Sequence, residues 1–187
     1  MKQKILIATT FLLFTSSLCA YIQPIIKIGY DTGGYTLKSL DEDRLKIGSG
    51  FIGEGGLSFR TPELGRHLKG QIFLGYKLNQ LDHTNGVYDF SRVTLSAIEL
   101  YNTRYFHIGA GVTYHFSPTL DYTDDRSSNF DKQTEYDDAL GFIFQLGFNL
   151  SREATLGIKG TIIDYELPNS AISRDGNSLG VFLSFKF

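Results

Sequence analysis

The sequence predicts an all-β protein: an eight-stranded antiparallel up-and-down transmembrane β-barrel with short periplasmic turns and longer extracellular loops. Three observations carry this prediction. Apolar and polar residues alternate with period two over most of the chain after Ala20, the mark of strands with two unlike faces. About eight such segments follow one another, each with the roughly 9–11 residues that a tilted strand needs to cross a bilayer. No later stretch is a continuous apolar run of helix-spanning length. A chain of this kind crosses a membrane only as a closed sheet, because lipid offers no partner to an open edge.

Taken in order, the chain opens on Lys2 and Lys4, an apolar run from Ile5 to Phe14, and the small-residue stretch Thr15-Ser16-Ser17-Leu18-Cys19-Ala20. This is the pattern of a secretory signal peptide over residues 1–20, cut after Ala20. A lipoprotein signal would need an aliphatic residue three places before Cys19 and a small one just before it. Ser16 and Leu18 occupy those places. Residues 21–187 then form one barrel domain, with strands expected near 22–36, 49–60, 68–81, 87–101, 105–121, 139–151, 155–167 and 178–187. The clearest strand sets Phe106, Ile108, Ala110, Val112, Tyr114 and Phe116 against His107, Gly109, Gly111, Thr113 and His115. In the fourth, Val93, Leu95 and Ala97 share a face while Ile98 and Leu100 shift the phase, which predicts a bulge or an early strand end. Longer polar links at 37–48, 82–86, 122–138 and 168–177 alternate with tighter ones at 61–67, 102–104 and 151–153. That alternation puts the long loops outside and both termini on the periplasmic side.

Composition excludes several functions. Cleavage removes Cys19, the only cysteine, and with it disulfides, thiolate metal sites and cysteine nucleophiles. Without Lys2 and Lys4, 16 basic residues face 20 acidic ones, a net charge of −4 that gives no reason to expect nucleic acid as a partner. Nothing in the sequence calls for a cofactor. Gly53, Gly55, Gly56, Gly109 and Gly111 lie inside alternating strands with no helix after them, so they are not phosphate loops. Relief of crowding in a narrow barrel is their expected role.

The ending Gly180-Val-Phe-Leu-Ser-Phe-Lys-Phe187 resembles the C-terminal signature of outer-membrane barrels. That resemblance implies recognition of Phe185 and Phe187 by the barrel-assembly machinery. The strand Tyr105–Phe116 and the stretch Gly157–Tyr165 resemble the small OmpA, OmpX and opacity-type barrels, over essentially the whole mature chain. OmpW-type barrels, linked to passage of small hydrophobic compounds, are similar in size and ending. The peptidoglycan-binding domain that follows the barrel in OmpA is not found here, so a tether to the cell wall is not implied. The resemblance implies the bacterial outer membrane as location, with its lipid and lipopolysaccharide as partners.

If the apolar faces meet lipid, where a charge near the midplane costs ~2–4 kcal/mol, the other faces line the lumen. Parity assigns Lys27, Glu54, Arg60, Lys77, Arg92, His107, His115, Gln145, Lys159 and Lys186 to it. Side chains largely fill so narrow a barrel, and buried charges need partners. The expected arrangement is a structural network in which Glu54, with Asp31 or Glu99 nearer the rims, answers the basic residues. The sharper alternative is a gate whose ion pairs rearrange to open an anion-favouring path, since basic residues outnumber acidic ones.

Candidate chemistry is sparse. His115-Phe116-Ser117 resembles the His-x-Ser of lipid A deacylase barrels, but parity turns His115 inward and no acid is placed to orient it, so an enzyme is not expected. His67 and His83 lie in links, where solvation is the expected state. The 122–138 link holds five Asp and one Glu against one Arg and one Lys. Clustered carboxylates suit Ca²⁺, yet the spacing matches no EF-hand loop, and a solvated outside loop is expected. Tyr122, Phe130 and Tyr136 there suit adhesion, the 38–46 link suits lipopolysaccharide phosphates, and Tyr30, Tyr76, Tyr101, Tyr114 and Tyr165 suit an interfacial girdle. Two functional classes survive: a structural or surface-interaction barrel touching lipopolysaccharide, host or neighbouring cells, and a narrow pore for small solutes. A soluble carrier barrel would need the opposite polarity of faces.

Overall fold

The computed structural model describes residues 22–40, 43–60, 67–83, 86–124, 132–168 and 172–187. The signal peptide at 1–20, with Cys19, lies outside them, as do Ser128 and Phe130 in the acidic link. Among the described residues every regular element is a strand: β1 (Ile22–Thr32), β2 (Thr36–Leu40), β3 (Asp43–Lys46), β4 (Gly50–Arg60), β5 (Leu68–His83), β6 (Gly86–Asn102) and β7 (Phe106–Asp124). Then come β8 (Lys132–Glu135), β9 (Ala139–Asn149), β10 (Ala154–Ile162), β11 (Asp164–Glu166), β12 (Ser173–Asp175) and β13 (Ser178–Lys186).

Eight of these close a ring, β1-β4-β5-β6-β7-β9-β10-β13, and β13 returns to β1 through Ile25↔Lys186 to Thr32↔Leu179. Every pairing is antiparallel, so no barrel strand presents an open edge. Period two sorts the faces. Ile26, Ile28, Leu74, Phe142, Phe144, Ile158 and Val181 are exposed on the outside, where they make an apolar belt. Tyr30, Tyr76 and Tyr101 stand exposed on the same outer surface. A continuous apolar belt of this kind is a liability in water and matches hydrocarbon. Lys27, Asp31, Gln71, Lys77, Gln145, Lys159 and Ser184 of the same strands are buried inside.

The end carrying the 32–50, 124–139 and 162–178 connections is more ordered than a set of loops. The β5–β6 ladder runs out to His83↔Gly86, and β8 extends the sheet beyond β9 by pairing with Thr119–Tyr122 of β7. The hairpins β2–β3 and β11–β12 stand at this end too. Strand residues thus occupy much of what the polar composition marked as links.

Four expectations need correction. First, β6 does not change phase at Ile98. Its alternation runs through, so Ile98 and Leu100 point inward and Glu99 points outward. The irregularity lies instead where Ser91↔Thr119 steps to Val93↔Phe116. The extra residue is on β7, at Ser117 (φ 44°) and Pro118. Second, Tyr165 is fully buried. The parity that turns Lys159 inward carries Tyr165 with it, so it belongs to the interior and not to the girdle. Third, Tyr136 is buried against Phe90 and Tyr165, because the chain folds it over the barrel mouth. Fourth, Gly53 and Gly55 face outward, and a Cβ there would meet nothing within 4 Å. Crowding does explain Gly111 and Gly180, where a Cβ would strike the Ala97 carbonyl and the Asp31 carboxylate respectively.

Candidate functional site: the charged lumen and its apolar lids

β1 delivers Lys27 and Asp31 to the lumen, β4 Glu54, β5 Lys77, β6 Arg92, β9 Gln145 and β10 Lys159. Each is buried, and each sits on the polar phase of its strand. Cross-strand register does the assembly: Lys27 lies opposite Glu54, Lys77 opposite Arg92, and Lys159 opposite Gln145. A chain of contacts results. The Lys27 ammonium donates to Gln145 Oε1 at 3.3 Å and lies 3.8 Å from Glu54. Lys159 spans the two carboxylates, 4.0 Å from Glu54 and 3.5 Å from Asp31. Lys77 donates to Asp31 at 2.6 Å and to the Gly48 carbonyl at 2.7 Å.

Asp31 is therefore the hub, joined to two lysines from different strands. Removing water from such groups costs several kcal/mol per ion, and only their mutual attraction offsets it. The lower ammonium also rests on rings: Lys27 Nζ is 3.7 Å from the Phe73 ring centre and 5.2 Å from that of Phe182, a favourable placement for a desolvated cation.

The predicted site residues divide. Lys27, Glu54, Lys77, Lys159 and Gln145 form the network. Arg92 is buried near its upper end, 4.7 Å from the Phe90 ring centre and 5.8 Å from that of Tyr165. His115 is buried and bonded through Nδ1 to the Tyr165 hydroxyl at 2.5 Å. His107 lies lower, 3.4 Å from Gln145 and stacked at 6.4 Å on Phe182. Lys186 is buried near the short-turn end. Arg60 does not belong with them. It has the inward parity but is the last residue of β4, beyond the rim, so it is exposed at the mouth opposite Lys69. Glu99 is exposed and faces outward, away from the lumen. Phe185 and Phe187 are exposed on the outer face at the short-turn end.

Two apolar clusters bracket this layer, and parity alone did not reveal them. At the long-loop end Leu45, Ile47, Leu81, Phe90, Tyr136, Ala139, Ile163 and Tyr165 pack into one buried group. Leu45 and Ile47 come from β3 and its turn, and Tyr136 from beyond β8, so connecting segments close the mouth. In the lower half Ile25, Phe73, Ile98, Leu100 and Ile143 form a second cluster. The inward step of Ile98 and Leu100, read from sequence as a break in phase, was the available signal for it.

The His-x-Ser pair is separated by the β7 bulge. His115 turns into the lumen, while Ser117 is exposed and its backbone amide donates to Asp138 Oδ1 at 2.9 Å. Among the described residues no group of three or more His, Cys, Asp or Glu gathers as a metal site.

No family model and no curated protein matches the chain. Solved structures do. Neisserial surface protein A matches with a TM-score of 0.55 at 12% identity, covering 90% of this chain and 99% of that one. Ail, the attachment invasion locus protein of Yersinia pestis, solved with the heparin analogue sucrose octasulfate, gives 0.51 at 10% identity over 90% and 99%. A major outer membrane protein of Thermus thermophilus gives 0.52 at 14% identity over 89% and 99%. The chain has the fold of the small outer-membrane β-barrels. Identities this low carry the fold alone. In this eight-stranded barrel, the interior is a bridged set of charges with one apolar cluster above it at the long-loop mouth and another in its lower half.

Proposed function

We propose that this protein is a sealed barrel of the bacterial outer membrane whose work is done at its long-loop end, in envelope integrity or attachment to surface ligands. The observation that carries this reading is the apolar cluster across the long-loop mouth, with a second cluster in the lower half. An ion path needs continuous polar lining or water, and two apolar lids oppose one. Export by the 1–20 signal, insertion guided by β13 with Phe185 and Phe187, and contact with lipid and lipopolysaccharide complete the proposal. The β2–β3 hairpin brings Lys38, Arg44 and Lys46 to the outer end for lipopolysaccharide phosphates. Arg174 lies 4.2 Å from the Tyr35 ring centre and Lys38 5.3 Å from that of Tyr88. Tyr88 stacks on Tyr122 at 4.4 Å. Cations beside aromatic rings suit an anionic surface ligand, in keeping with Ail having been solved with a sulfated heparin analogue. A role without catalysis fits the separation of His115 from Ser117.

The pore reading draws on one observation, the excess of buried basic residues. Single-channel recording of the refolded mature barrel, beside Lys77→Glu, decides between the two. A silent bilayer with folded protein is expected. Discrete openings whose ion preference moves toward cations in the variant would establish the pore and overturn the sealed barrel.

A further inference from the structure

We infer that the lumen of this barrel binds a small monovalent inorganic anion, of chloride size, at the Arg92 guanidinium. Arg92 is only 2% exposed, yet Nε and Nη1 find no acceptor among the described residues. Thr94, two residues along the same inward face of β6, buries an unpartnered hydroxyl as well. Buried donors of this kind are rare without a partner, and a guanidinium presents its N–H groups as a fixed fork suited to an anion. The Phe90 and Tyr165 rings cover the guanidinium but supply no lone pair.

Charge makes the stronger argument. Around Arg92 the described interior holds the cations Lys27, Lys77, Arg92 and Lys159 against the carboxylates Asp31 and Glu54. Asp31 Oδ2 already takes Lys77 at 2.6 Å and Lys159 at 3.5 Å, and Glu54 takes Lys27 and Lys159. With all of these groups ionised, two positive charges are left over in a space closed by apolar side chains at the long-loop mouth. Among the described residues Asp31 Oδ1 accepts no hydrogen bond, and Glu54 Oε2 has only its longer ion-pair contacts with Lys27 and Lys159; these are acceptors, which an anion cannot serve and water can. Hydration satisfies hydrogen bonds but leaves the excess charge uncompensated. An anion beside Arg92 meets both demands. The enclosed position, walled by rings, limits it to a small species.

The test uses the full mature barrel, refolded in detergent. Its urea midpoint is measured in sodium chloride and in sodium gluconate at equal ionic strength, for the wild type and for Arg92→Met. A ligand that binds only the folded state raises stability by mass action. The wild-type midpoint is therefore expected to climb with chloride and not with gluconate, and the variant to lose that increment. Crystals grown in sodium bromide are expected to carry an anomalous peak within hydrogen-bond distance of Arg92 Nε or Nη1. If Arg92→Met fails to fold, the bromide peak in the wild type decides alone. Equal wild-type midpoints in the two salts, an increment that survives in Arg92→Met, or bromide-grown crystals with no peak beside Arg92 would each overturn the inference.

Discussion

Asp31 shows how a single side chain organises the interior. Its carboxylate joins Lys77 and Lys159, and so couples β5 and β10 through β1. Deleting one partner of a buried ionic group leaves the others desolvated and unpaired, at a cost of ~3–5 kcal/mol. Asp31→Asn is expected to lose that much in a urea titration of the refolded barrel. Arg60→Ala, at the exposed end of β4, is expected to stay within ~0.5 kcal/mol of wild type, as surface substitutions do. Equal losses at the two positions would mean that the network contributes nothing specific.

At the scale of elements, β7 bends at Ser117, whose φ of 44° is the one positive value at a non-glycine residue among the described ones. A left-handed conformation costs an L-residue about 1–2 kcal/mol, part of which glycine would lose again through its freer unfolded chain. Ser117→Gly is expected to stabilise the barrel by about 0.5–1 kcal/mol, read as a higher urea midpoint with an unchanged slope. The β6–β7 ladder beyond the girdle carries a second strain. Asp89 lies opposite Asp121 and near Asp82. Burial first, then those two carboxylates, push the Asp89 carboxyl above its ordinary 3.8. The folded state then binds this proton more tightly than the unfolded one. Ionisation of Asp89 therefore costs stability as pH rises from 3.8 through the raised value. Asp89→Asn should exceed wild type in urea midpoint at neutral pH, with the advantage gone well below pH 3.8.

For the whole molecule, the ring of eight strands fixes which connections share a side. Turns at 102–106 and 149–154 lie at one end with β1's start and the chain's last residue; the hairpins β2–β3 and β11–β12 lie at the other. With the short turns periplasmic, a cysteine at Ser173 should react with an impermeant maleimide on intact cells. One at Arg152 should react only after the outer membrane is opened. The reverse pattern would invert the proposed orientation, and with it the assignment of the long-loop end to surface contacts.

Period two alone determined the class of fold, the eight barrel strands and the inward placement of Lys27, Glu54, Lys77, Arg92, His107, His115 and Lys159. Alternation is a local property, and an apolar outer surface set against a narrow polar lumen leaves each strand only one way to face. What parity could not supply is height along the barrel and the identity of neighbours across it. Arg60 has the right phase but lies past the rim. Glu99, Ile98 and Leu100 follow a phase that their chemistry disguised, because apolar residues can fill a lumen as well as face lipid. Asp31 as the shared partner of two lysines, and Tyr136 and Tyr165 as parts of a lid, depend on the register between strands far apart in sequence. That register is set only when the ring closes, and so the tertiary structure alone placed the buried charges beneath an apolar cluster at the long-loop mouth.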